Sequence, residues 1–162
     1  MKPANIEKFI DTMKSPAKMS FFMFTKLPAA YFSGVRLKNI TPSHCLVSIP
    51  YKWFSQNPFR STYFACQSMA AEMSTGVLAM THTWERDPAI SMLVLKVDGD
   101  FRKKATGVTT FTCEDGHRIL SMINEAASTG KGTSIIVRSV GKNKDGDTVA
   151  EFAITWGFKV RS

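Results

Sequence analysis

Three cysteines in 162 residues, Cys45, Cys66 and Cys113, are too few and too scattered for a disulfide framework or a four-cysteine zinc site. Their scarcity suits a reducing compartment. Long apolar runs are missing too. The longest stretch free of Asp, Glu, Lys and Arg runs from Asn39 to Tyr51, too short and too polar to span a bilayer. Met1 to Lys14 carries Glu7 and Asp11 and has no apolar stretch with a small-residue cleavage site, so no secretory leader is read there. The expected location is the cytoplasm, with no stable membrane insertion. Acidic residues are also scarce: 13 stand against 21 Lys and Arg, a formal charge of +8. That balance permits a polyanionic partner and does not choose one. With no helix-turn-helix pattern and no aromatic–basic strand motif, no nucleic-acid partner is expected. His44, His82 and His117 have no mutual spacing that suggests a metal, and no cofactor is expected.

What is present is a globular composition. Hydrophobic residues make up 44%, which excludes a disordered chain. The length fits one domain over residues 1–162, long enough to bury a core without staples. A helical extension is read over residues 1–27. Pro3 to Lys14 places Ile6, Phe9, Ile10 and Met13 at helical spacing. Pro16 interrupts and opens a second helix, which stops before Pro28. Phe21, Phe22 and Phe24 on it are read as core-facing anchors; the cluster is also the only weak pointer to a peripheral membrane contact.

Six strands follow from period-two patterning and turn signals. They are Val35–Ile40, Ser43–Tyr51, Ala89–Val97, Lys104–Cys113, Thr133–Gly141 and Thr148–Val160. The last is the strongest: Ala150, Phe152, Ile154, Trp156, Phe158 and Val160 share one face. Lys52 to Asn57 reads as a loop. His117 to Ser128 predicts a helix ending at Gly130. Ser61 to Met80 has small and apolar residues on every side, so the helix it predicts is buried on every side. No strand–helix alternation runs the length of the chain. The expected class is therefore α+β, an antiparallel sheet around one helix.

Glu72 does not belong in that helix. It is the only acid between Asp11 and Glu85, a span holding Lys14, Lys18, Lys26, Arg36, Lys38, Lys52 and Arg60. A buried carboxylate must be paired, hydrogen-bonded or protonated. Two readings stay open. Glu72 is half of a structural ion pair, or it is an unpaired carboxylate with a raised pKa, suited to a general base. Ser68, Glu72 and Thr75 form one polar seam at i, i+4 and i+7. Asn57, alone, reads as a turn residue. The helix start between Asn57 and Glu72 presents free N–H groups, a ready oxyanion site. Together the three could hold a thioester carbonyl and an attacking water.

Asn57-Pro58-Phe59-Arg60-Ser61-Thr62-Tyr63-Phe64-Ala65, followed by Ala70-Ala71-Glu72, resembles the hotdog-fold thioesterases of the phenylacetate type. Those carry an Asn, a Gly, a His-Gly-Gly run opening the central helix, and an acid further along it. Over its whole length the chain resembles more closely an uncharacterised branch of that superfamily with the same helical extension. The resemblance implies a hotdog fold and an acyl-CoA or acyl-carrier thioester as substrate. It implies a homodimer or dimer of dimers with its site between subunits. Asn57 falls on the Asn, Tyr63 on the His, Phe64 and Ala65 on the two glycines, and Glu72 on the acid. Arg60 replaces the first glycine. Glu72 and Asn57 are then the catalytic candidates, and Tyr63, Phe64 and Ala65 bind substrate.

Arg102-Lys103-Lys104 has two readings, a contact for the phosphates of coenzyme A or a carrier, or a solvated charge run. Cys66 lacks a His or Asp companion in sequence and reads as a small buried thiol. Two functions remain: an acyl-thioester hydrolase, and a non-catalytic hotdog module that binds acyl chains or acyl-CoA.

Overall fold

A helix with almost no solvated face organises the molecule. It is α4 (Phe64–Thr83), and Ala70, Ala71, Met73, Ser74, Val77, Leu78 and Ala79 on it are all buried. The computed structural model describes residues 4–161. Ahead of α4 come α1 (Ile6–Lys14), α2 (Pro16–Lys26), α3 (Pro28–Ser33), β1 (Arg36–Ile40), β2 (Cys45–Ile49) and a single 3₁₀ turn at Trp53–Ser55. Behind it come β3 (Ile90–Phe101), β4 (Thr109–Cys113), α5 (Gly116–Thr129), β5 (Thr133–Lys142) and β6 (Thr148–Val160). The strands form one antiparallel sheet in the order β1-β2-β4-β5-β6-β3. Five of the six strands contact α4, and α1, α3 and α5 close over it. This is the α+β architecture the apolar helix predicts.

Period two sets which residues face α4. Cys45, Val47 and Ile49 on β2, Phe111 and Cys113 on β4, and Ala150, Phe152, Ile154, Trp156 and Phe158 on β6 are buried. Each large apolar side chain removed from water contributes about 1.5–3 kcal/mol. Small residues on the helix let the sheet come close. A Cβ on Gly76 would stand 3.1 Å from the Trp156 ring. Cys45 and Cys113 face each other in the β2–β4 register and are free thiols. Burial pushes both up, Cys113 to about 12, so neither is a thiolate at neutral pH.

Several expectations need correction. Phe21 and Phe24 are not core anchors; both are exposed, and Phe22 is half-buried. Met19 and Met23, at i and i+4, take the inward stripe of α2, and Phe9 anchors α1 at 5.4 Å from the Trp84 ring. An eleven-residue surface helix buries one stripe, and the methionines occupy it. Pro28 ends α2 and also opens α3, a helix the sequence reading did not contain, because proline suits the first helical position. Pro3 lies outside the described residues. The segment before Thr109 is a loop, because it is engaged elsewhere. The amides of Arg102 and Lys103 bond the Val149 carbonyl, and the Ala105 carbonyl accepts from Thr62. Lys52 to Asn57 contains the 3₁₀ turn, and α4 starts three residues after Ser61, because Ser61 serves the Asn57 loop.

His82 lies in the last turn of α4, buried, with Nε2 donating to the Pro42 carbonyl at 2.9 Å. Desolvation lowers its pKa below 6.5, the charges of His117 and Arg86 add to this, and the Pro42 bond opposes it. The folded state therefore binds fewer protons here than the unfolded chain. The corresponding stability is present above the unfolded value and is lost as pH falls below it. Thermal unfolding between pH 5 and 8 should show the melting temperature dropping below about 6.5. His82→Gln, which can still donate to Pro42, should flatten that slope.

Candidate functional site

The Asn57 loop is built around one side chain. Asn57 Oδ1 accepts from the amides of Phe59 at 3.0 Å and Ser61 at 3.1 Å, and from Ser61 Oγ at 3.2 Å. That oxygen is fully engaged, so what Asn57 can offer a ligand is its Nδ2. Arg60 sits in this loop at φ +57°, the left-handed region. The resembled pattern carries glycine there, and the structure supplies the reason: the turn needs that backbone conformation whatever the side chain.

The loop delivers the chain to α4. The Tyr63 amide bonds the Ser55 carbonyl at 2.7 Å, and Tyr63 takes the N-cap position without a side-chain cap. Cys66 and Gln67 donate back to the Tyr63 carbonyl. Among the described residues no acceptor meets the amides of Phe64 and Ala65. Two free N–H groups thus stand at the positive end of a twenty-residue helix.

Beside them is a groove of about 560 Å³. It gathers Asn57, Tyr63, Phe64, Arg102, Lys103 and Lys104, six of the eight expected site residues, with Phe59, Gln67 and Phe101. The cations differ in what they can offer. Arg102 pairs with Glu151 at 3.4 Å, Lys103 pairs with Asp147, and Lys104 bonds the Phe59 carbonyl at 3.4 Å. Asp147 holds the Lys103 ammonium above its ordinary range, while Lys104 has no carboxylate partner among the described residues. Ala65 contributes its amide but does not line the groove.

Gln67 is the residue the sequence reading missed. It is buried, its Nε2 donates to the Thr62 carbonyl at 3.1 Å, and its Oε1 has no partner. An orphaned amide oxygen in the wall of a groove is an acceptor waiting for a donor. The available signal was a primary amide one turn into an otherwise apolar helix.

Glu72 does not enter this groove. It lies two turns along α4 from Phe64, roughly 12 Å down the axis. Among the described residues its carboxylate forms no ion pair and accepts no hydrogen bond. The ion-pair reading therefore fails within this chain. Burial pushes its carboxyl above the ordinary carboxylate range. Gly76 leaves it room: a Cβ there would be 3.0 Å from Glu72 Oε1. Thr75, on the same seam, accepts from the Trp156 indole at 2.9 Å. Ser68 is half-buried. Cys66 donates to Ser33 Oγ at 3.7 Å, a thiol held in the core. No metal-holding cluster occurs among the described residues.

The family described as Domain of unknown function (DUF4442) matches residues 17–158. The chain belongs to this family. No curated protein matches it. Among solved structures it is similar to PA5026 from Pseudomonas aeruginosa, a protein of unknown function termed a probable thioesterase. That likeness has 21% identity and a TM-score of 0.76, covering 93% of this chain and 99% of the other. It is similar to thioesterase HI1161 from Haemophilus influenzae at 8% identity and TM-score 0.66, covering 86% and 88%. A mutant form of thioesterase PA1618 from Pseudomonas aeruginosa matches at 12% identity and TM-score 0.65, covering 97% and 95%. At these identities the likeness carries the fold, and the fold is the hotdog fold.

The strained turn gives a direct check. Arg60→Gly should hold or raise the melting temperature, whereas Arg60→Val should destabilise by about 1 kcal/mol in urea unfolding, because a β-branched residue resists positive φ.

Proposed function

We propose that this chain is an acyl-thioester hydrolase. The observation that carries the reading is Glu72: a half-buried carboxylate on the central helix, pushed up by desolvation, with no cation and no hydrogen bond to satisfy it among the described residues. A side chain so placed costs stability, and a proton acceptor is a reason to keep it. In the proposed reaction the thioester carbonyl oxygen lies against the amides of Phe64 and Ala65, which stabilise the negative charge that develops on it. Glu72 takes a proton from water, and the water oxygen bonds the carbonyl carbon. The tetrahedral intermediate collapses, the carbon–sulfur bond breaks, and the thiolate leaves with the proton Glu72 held. Gln67 Oε1 and Asn57 Nδ2 orient the substrate. The groove beside Lys104 takes the phosphate-bearing arm of coenzyme A or of a carrier protein.

The amides and the carboxylate of one chain lie two turns apart, so the reading needs a second subunit. The β3 edge supports one. Twelve residues long, it has no strand on its outer side and exposes Leu93, Leu95, Val97 and Phe101. An unpaired apolar edge is a template for pairing with another copy. In the proposed homodimer, or dimer of dimers, Glu72 of one subunit meets the helix start of the other. The expected location is cytoplasmic. One observation favours the second reading, a non-catalytic module for acyl chains or acyl-CoA. Tyr63, Phe64 and Ala65 replace the His-Gly-Gly run, and the first two project bulk at the groove.

Thiol release from a panel of acyl-CoA chain lengths separates the two. The hydrolase reading expects turnover, lowered about 10²–10⁴-fold in Glu72→Gln. It also expects activity to fall on acidification through a pKa above the ordinary 4.5 of a glutamate. The stability sign is opposite to that of His82. With its pKa raised, Glu72 makes the folded state bind more protons, so its charge costs stability as pH rises through the window. Glu72→Gln should therefore melt higher than the wild type at neutral pH, and the advantage should vanish below 4.5. Binding of acyl-CoA without thiol release leaves the module.

The assembly has its own check. Light scattering should give at least twice the chain mass of 18.0 kDa, and Leu93→Glu on the β3 edge should return it to that mass and abolish turnover.

A further inference from the structure

The helical extension and the 3₁₀ turn present an aromatic surface that the hydrolase reading does not use. Phe24 lies 5.5 Å from Tyr31 and 6.1 Å from Phe32, Phe32 lies 5.9 Å from Phe54, and Phe54 lies 4.8 Å from Trp53. The rings form one continuous row across α2, α3 and the turn. Most of the row faces water: Trp53 is 74% exposed, and Phe21, one turn from Phe24 on α2, is 71% exposed. Phe32, Phe54 and Leu27 are exposed as well. A contiguous apolar patch of this kind marks an interaction surface.

The charged residues that α2, α3 and the chain up to the turn carry have one sign. Lys18 shares the outward face of α2 with Phe21 and Phe24 at i, i+3 and i+6, and Lys26 ends that helix. The Arg36 guanidinium lies 4.8 Å over the Tyr31 ring, and the Lys52 ammonium lies over Gly34 at the end of α3. No acid stands between Asp11 and Glu72 in the sequence. The row stands out in water, and even Phe32, the least exposed of its outward rings, is 46% exposed. A bilayer interface accepts protruding rings without shape complementarity, and Trp and Phe beside Lys and Arg favour that level of the membrane. An anionic headgroup layer complements the cations, each contributing about 1 kcal/mol near such a surface. No helix of the described residues is long and apolar enough to cross.

We propose that this face docks peripherally on an anionic lipid bilayer, with Phe21, Phe24, Phe32, Trp53 and Phe54 entering the headgroup level and Lys18, Lys26, Arg36 and Lys52 meeting lipid phosphates. Docking brings the site to the lipid, because the 3₁₀ turn runs directly into the Asn57 loop and holds Tyr63 through the Ser55 carbonyl. The inference stands apart from the hydrolase reading and survives its failure.

The test is co-sedimentation of the full chain with unilamellar vesicles of phosphatidylglycerol and phosphatidylcholine in equal parts, against phosphatidylcholine alone. Binding is expected to the anionic vesicles, falling at least about tenfold without phosphatidylglycerol or in 0.5 M salt. Phe21→Ser with Trp53→Ser should lower binding at least about tenfold, given the apolar area each ring buries. The Trp emission should shift to the blue on binding, and Trp53→Phe should bind while losing the shift. Should the serine variant not fold, Lys18→Glu with Lys26→Glu, at two exposed positions, decides by the same loss. Sedimentation indifferent to phosphatidylglycerol, or undiminished in a folded variant, would overturn the proposal. So would a serine variant whose mass in solution halves, since the face would then be an interface between copies.

Discussion

Everything in this molecule depends on burying α4 inside a sheet. A helix so enclosed has little solvated surface on which to place a charge, and the sequence meets the constraint with Ala, Ser, Thr and Gly where the strands come closest. Gly76 under the Trp156 ring and the Ser74–Ser139 hydroxyl pair at 2.7 Å are two such contacts. The constraint gives Glu72 its meaning. On a surface helix a lone glutamate carries no information; here it is a carboxylate without a partner among the described residues, in a place that penalises one.

The same enclosure separates the parts of the candidate site. The helix start lies at the open end, where the Asn57 loop, the 3₁₀ turn and residues 102–105 meet, and so it collects the groove, the free amides and the cations. Glu72 lies two turns deeper, towards Trp156. One chain does not bring the helix start and Glu72 together, and the proposed pairing of two copies along the β3 edge beside β6 is what would join them.

Much of the fold was legible in the residues because it follows from periodicity. The six-pair alternation of β6 and the all-round apolarity of α4 are properties of the local sequence; β6 formed as read, and α4 formed three residues further along the chain. The α5 stop at Gly130, where φ is +69°, also formed as read. What was not legible was decided at a distance. Phe21 and Phe24 look like core residues by composition, but Met19 and Met23 hold the inward stripe of α2. Residues before Thr109 alternate like a strand, yet their backbone groups bond Thr62 and Tyr51 and form a loop. In the candidate site, the spacing and the resemblance singled out positions 57 and 72, and the resemblance put a glycine where Arg60 stands. The orphaned oxygen of Gln67, the saturated Oδ1 of Asn57 and the absence of a cation beside Glu72 among the described residues are facts of three-dimensional placement.

Glu72 is a half-buried carboxylate, pushed up by desolvation, with no cation beside it among the described residues, and its own titration is the sharpest test. Carboxyl-carbon NMR of the chain labelled at glutamate, with Glu72→Gln to assign the resonance, reports each side chain separately. One glutamate, absent from the variant spectrum, should titrate at higher pH than the others. A Glu72 resonance that titrates together with the exposed glutamates, or below them as a salt-bridged carboxylate would, contradicts it.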